Sequence, residues 1–174
     1  MHLTDACFLS IYAKIKLFKS DDGEVLAMQI SIQRDYFKQA LQEVMYAVSN
    51  RNVLPILSGI KVMANTDGVT LTGGNSDIII QRTIPARLDG KPIMQVFKEG
   101  SAVVPGKYFS EMVKKLPSDI FIEADEELHI TVQSEEIITT MNGYDPEEYP
   151  ALPEMDSANI VRVSGGELVE MVKQ

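Results

Sequence analysis

The sequence has no tryptophan, one cysteine and two histidines among its 174 residues. Cys7 alone cannot close an internal disulfide, which excludes a small cross-linked secreted scaffold. His129 has no second imidazole near it, since His2 lies at the far end of the chain. Asp125, Glu126, Glu127 and His129 are the one cluster with metal-ligand chemistry, and they fall in a strand–turn–strand pattern rather than at ligand spacing. No phosphate-cradling glycine loop, nucleophile elbow or Cys/His pair occurs. No catalytic residue, metal or cofactor is therefore expected.

Long apolar runs are also missing. None approaches the roughly 20 residues that span a bilayer, so no membrane segment is expected. Phe8–Tyr12 is too short for the apolar part of a signal peptide. Lys14, Lys16 and Lys19 follow it where small cleavage-site residues would stand. These absences predict a cytoplasmic protein. With 45% apolar and 24% charged residues, its composition is that of an ordinary globular chain.

The third absence is local. Pro117–Val161 contains twelve acidic residues and neither Lys nor Arg. The net charge of −9 is thus uneven, because the rest of the chain carries 16 basic and 13 acidic residues, a net of +3. Such a partition suits a protein with one surface that repels nucleic acid and another that tolerates it.

What is present is a repeat. Met28–Arg34 alternates as a half-buried strand does and runs into an amphipathic stretch, Asp35–Ser49. There Phe37, Leu41, Val44 and Val48 fall at helical spacing, with Asp35 as the expected N-cap. Ser101–Pro105 leads in the same way into Gly106–Leu116, whose stripe is Phe109, Met112, Val113 and Leu116. The helical spacing also places Tyr36, Phe37, Tyr108 and Phe109 in the core rather than among bases. Three strand-like runs follow each helix: Ile60–Ala64, Val69–Thr72 and Ile78–Ile84, then Ile120–Ala124, Leu128–Val132 and Ile137–Met141.

A third copy opens at Asn159–Val163 and Gly165–Gln174, where Glu-Met-Val-Lys recurs. Two complete strand–helix–strand–strand–strand units predict an α+β domain with both helices on one face of antiparallel sheets. Tyr144–Pro153, with three prolines, reads as an extended crossing segment.

The expected organisation is a doubtful extension at 1–27, a domain at 28–143, a linker at 144–158 and the start of a second domain at 159–174. Residues 1–27 fit no repeat unit. Gly23-Glu24-Val25 is encodable by a G-rich ribosome-binding sequence shortly before Met28, so the extension reads as upstream sequence translated in frame. A final amphipathic helix without a sheet to pack on reads as a fragment.

Several segments carry a family resemblance. Ser49–Ile60 (Ser-Asn-Arg-Asn-Val-Leu-Pro-Ile-Leu-Ser-Gly-Ile), Gly68–Asp77, Val104–Phe109 and Gly143–Pro153 resemble, in order, landmarks of the bacterial DNA polymerase III beta subunit family. Asn75 departs from the hydroxyl residue more usual in that family. The resemblance implies the DNA-clamp fold and a non-enzymatic role in DNA replication as a processivity factor. Two three-domain chains would close as a homodimeric ring around duplex DNA, with helices lining the hole.

A tether that slides contacts phosphates, not bases. The resemblance places Arg51, Lys107 and Lys114 at positions that tend to be basic, and Lys38 and Gln42 share the polar side of the first helix. It assigns Ile137–Met141 to the subunit interface through Thr139 and Met141, although Thr139 is polar where relatives are apolar. The catalytic subunit of DNA polymerase III and the clamp loader are the implied partners, through domains beyond this chain. The alternative is a β-rich protein–protein adaptor without DNA binding.

Overall fold

A computed structural model describes residues 26–49, 54–151 and 164–173. Strand β1 (Leu26–Ile32) leads into α1 (Arg34–Met45). A short 3-10 turn at Pro55–Ser58 precedes β2 (Gly59–Asn65), β3 (Gly68–Gly74) and β4 (Ile79–Pro85). A small hairpin, β5 (Arg87–Leu88) and β6 (Lys91–Pro92), precedes β7 (Met94–Lys98). The second unit is β8 (Gly100–Pro105), α2 (Gly106–Lys115), β9 (Ile120–Asp125), β10 (His129–Ser134) and β11 (Ile137–Asn142). Helix α3 (Gly165–Lys173) closes the described chain, with every described side chain exposed.

The two units exchange their first strands. One sheet runs β11-β10-β9-β1-β7 and the other β4-β3-β2-β8, all pairs antiparallel. Thus β1 of the first unit completes the sheet of the second, and β8 of the second completes that of the first. The registers Ile30↔Ile122 and Ile32↔Ile120 repeat as Ile60↔Val104 and Val62↔Ala102. In both sheets the alternating apolar residues turn to one side, where they form a single buried cluster with Phe37, Leu41 and Val44 of α1 and Phe109 and Val113 of α2. A sheet buried on one face needs this period-2 pattern, which is why the strands were readable.

Three details differ from the expectation. Helix α1 starts at Arg34, with Gln33 at the N-cap and no side-chain cap. Asp35 lies inside the first turn, where its Oδ1 accepts Arg34 Nε and Nη2 at 3.0 and 2.8 Å. The carboxylate favours the positive helix end without capping it. Strand β1 starts at Leu26, two residues before Met28, and Leu26 is opposite Asp125.

Strand β7 and the β5–β6 hairpin belong to neither predicted unit. The hairpin turns on Asp89 (φ 51°) and Gly90 (φ 77°), a pair with the left-handed backbone that two-residue hairpin turns require. That Asp-Gly pair was the available signal. The other predicted strands between Ile60 and Met141 each fall on an observed one, with ends shifted by at most two residues, and Asn159–Val163 lies outside the described residues.

Candidate nucleic-acid interface

Helices α1 and α2 lie side by side and antiparallel over the sheets. Phe37 and Phe109 meet edge to face with centroids 5.9 Å apart. Arg34, in the first turn of α1, donates from Nη1 to the carbonyls of Leu116 and Pro117 at 2.8 and 3.1 Å. A guanidinium there satisfies carbonyls left over at the end of α2 and sits at the negative end of its dipole. At the opposite end, Met45 Sδ is 3.4 Å from where a Cβ on Gly106 would sit. A Cβ on Gly73 of β3 would lie 2.5 Å from Val44 Cγ1, so only glycine lets α1 settle on that strand. Arg34→Met, which keeps the apolar stem, should lower stability by about 1–2 kcal/mol, read as a fall in melting temperature. An unchanged melting temperature would show that the cross-helix cap contributes nothing.

The outward side of this layer is where the predicted DNA contacts fall. Lys107 and Lys114 are exposed on α2, Gln42 is exposed on α1, and Lys38 is half-buried beside it. Glu111 lies between the two α2 lysines on the same side, and its carboxylate accepts Lys114 Nζ at 2.6 Å. That bond and the charge of Lys114, then the charges of Lys115 and Lys107, hold the Glu111 carboxyl below the usual glutamate range. Glu43 of α1 pairs with Arg82 of β4 at 3.1 Å. Arg51 lies outside the described residues.

The two helices carry five basic and three acidic residues, whereas β9, β10, β11 and their turns hold no Lys or Arg. The charge partition seen in the sequence is therefore a partition between the helix layer and one end of a sheet. Lys115 and Arg82 belong to the basic layer but escaped the sequence reading: the one ends a helix, and the other sits on a strand. Tyr36 and Tyr108 correct the expectation of a buried aromatic set, because they are 38% and 57% exposed while Phe37 and Phe109 are fully buried. One residue of helix is a 100° rotation, enough to turn a neighbour of the stripe outward.

Among the described residues, strand β11 is one edge of the five-stranded sheet, and β7 is the other. Thr139 is half-buried on β11, and Met141 belongs to the core cluster at 9% exposure. The exposed apolar residues on this edge are Ile137 and Ile138, 44% and 51% exposed, within the strand that the resemblance assigns to the interface but beside the two residues it singles out.

The acidic cluster closes a turn. Asp125 accepts the His129 backbone N–H at 2.8 Å through one carboxylate oxygen and lies 3.0 Å from its Nδ1 through the other. Leu128, in the turn, has φ 68°. The described part of the crossing segment is pinned to the four-stranded sheet. The Tyr144 N–H donates to Val103 O at 2.9 Å, Lys61 Nζ donates to Pro146 O at 2.9 Å, and Tyr149 packs beside Leu57 and Val103. Burial pushes the Tyr149 hydroxyl above the ordinary tyrosine range. No helix among the described residues is long and apolar enough to cross a membrane.

Comparison with known proteins agrees with this geometry. The model of the DNA polymerase III beta subunit, N-terminal domain, matches residues 28–153. A beta sliding clamp from Halalkalibacterium halodurans is 40% identical over 148 residues, covering 84% of this chain and 39% of the relative. A DNA polymerase sliding clamp structure from Bacillus subtilis superposes with a TM-score of 0.74 at 39% identity, over 75% of this chain and 35% of the other. The DNA polymerase III beta chain of Streptococcus pneumoniae gives a TM-score of 0.79 at 27% identity, over 83% and 38%. The chain thus spans well under half of the curated relatives it matches. Its exchanged-strand architecture, its paired helices and a match across both repeat units place it in the DNA polymerase III beta subunit family, on the N-terminal domain.

Proposed function

We propose that this chain is the first domain, residues 28–143, with a linker at 144–158 and the start of a second domain at 159–174, of a DNA sliding clamp. In that reading the complete protein is a cytoplasmic, non-enzymatic processivity factor that closes as a homodimeric ring around duplex DNA. It holds the polymerase III catalytic subunit and the clamp loader through domains beyond this chain. The observation that supports it best is the helix layer. Two antiparallel helices from the two repeat units turn Lys38, Gln42, Lys107 and Lys114 away from the sheets, while the acidic residues cluster on β9, β10, β11 and the linker. Arg51 joins this set by its place in the sequence motif. The edge at β11, with Thr139, Met141 and the exposed Ile137 and Ile138, is the surface on which a second copy would continue the sheet.

Such a surface binds phosphates without reading bases. Replacing Lys107 and Lys114 with Ala should weaken binding to duplexes of unrelated sequence equally. It should also flatten the salt dependence of affinity, by about one unit for Lys107 and by less for Lys114, whose ammonium is already paired with Glu111. Fluorescence anisotropy across a salt titration measures both. An unchanged slope would mean that these residues do not face DNA and would favour the adaptor reading.

A further inference from the structure

We propose that Glu111 is an internal competitor for Lys114, holding its ammonium off the phosphate backbone and so weakening the grip of α2 on DNA. This rests on the helix layer being the duplex-facing surface. Glu111 Oε1 and Lys114 Nζ are 2.6 Å apart, with side chains 58% and 39% exposed. An exposed pair of this kind is worth at most about fivefold in an equilibrium. A contact that weak lets Lys114 exchange carboxylate for phosphate and back.

The competitor is charged near neutral pH as any exposed glutamate is, and the Lys114 hydrogen bond, with the charges of the nearby lysines, holds its carboxyl lower still. Lys107 and Lys115 flank it and have no carboxylate in ion-pair contact among the described residues. They are the cations left to meet phosphate directly. The adjacent helix repeats the arrangement, with Glu43 of α1 on Arg82 of β4 at 3.1 Å. A surface that must move along DNA benefits from cations that are already partnered, since each phosphate contact then replaces a contact of similar strength.

The test is binding of this chain to a short mixed-sequence duplex across a salt titration, with Glu111→Gln, Lys114→Ala and the two combined. Glu111→Gln should bind about threefold to tenfold more tightly at low salt, with a slope steeper by up to about one unit. The gain should vanish in the Lys114→Ala background. The melting temperature of Glu111→Gln should stay close to that of the parent, since the replacement is nearly the same size at a side chain 58% exposed on the helix surface. No gain in Glu111→Gln would overturn the proposal. So would a gain of equal size without Lys114, which would reflect only the removal of a negative charge. A loss of affinity in Lys107→Ala/Lys114→Ala without any response to Glu111→Gln would overturn this inference and leave the duplex-facing surface standing. No loss in that double variant would overturn both.

Discussion

Phe109→Ala should unfold the domain's centre, while Tyr108→Ala, one residue away, should leave its stability unchanged within about 0.5 kcal/mol. Phe109 is fully buried and stands edge to face against Phe37. Removing a buried ring leaves a cavity that neighbouring strands cannot close, at a cost of about 3–5 kcal/mol. Part of that cost is the aromatic pair itself, roughly 1 kcal/mol beyond area burial. Phe109 joins the two helices, one from each repeat unit, so its loss loosens the contact between halves. Tyr108 points outward at 57% exposure. Thermal unfolding should show a fall of more than about 10 °C for Phe109→Ala beside an unchanged midpoint for Tyr108→Ala. Equal shifts would contradict the packing described here.

The same neighbouring pair marks what the sequence could and could not show. Apolar residues at helical spacing identified Phe37, Leu41, Val44, Phe109 and Val113, because a buried stripe leaves a period that survives without neighbours. The alternation in the strands did likewise. Strand exchange between the units was not legible, since pairing of β1 with β9 is a long-range choice that no local pattern records. The motifs that carry the family resemblance proved to be largely structural. Gly73 admits α1 onto β3, and Tyr149 anchors the linker by burial against Leu57 and Val103.

Asn75 has a local structural role. Its Oδ1 accepts the backbone N–H groups of Asp77 and Ile78 at 2.8 and 3.0 Å, while its Nδ2 donates to Ala47 O at 3.0 Å. A hydroxyl could not place a donor and an acceptor that far apart, so this side chain ties the turn to the end of α1 in a way Ser or Thr would not. The basic residues were only partly legible. Lys107 and Lys114 lie on the outward side of α2 as expected, but the Glu111 partner of Lys114 is a feature of rotamers, and Arg82 reaches the helix layer from a strand. Met141 faces the core while its neighbours Thr140 and Asn142 face out, an alternation that a motif match does not record.

Encirclement makes the last expectation the largest. Affinity of this chain alone for duplex DNA should be weak, in or above the range of about 10⁻⁴ to 10⁻⁶ M typical of non-specific phosphate contact. The few cations of one helix layer face partial neutralisation by Glu43 and Glu111. A protein in which this chain is continued by the further domains of its relatives should behave differently without any stronger local contact. Its retention would come from topology, and topology depends on whether the DNA has ends. The direct measurement loads the extended protein onto closed circular plasmid and then linearises half of the sample. The expected result is long retention on circles and rapid loss from the cut molecules, with the present chain lost equally fast from both. Equal retention of the extended protein on circular and linear DNA would contradict the clamp reading.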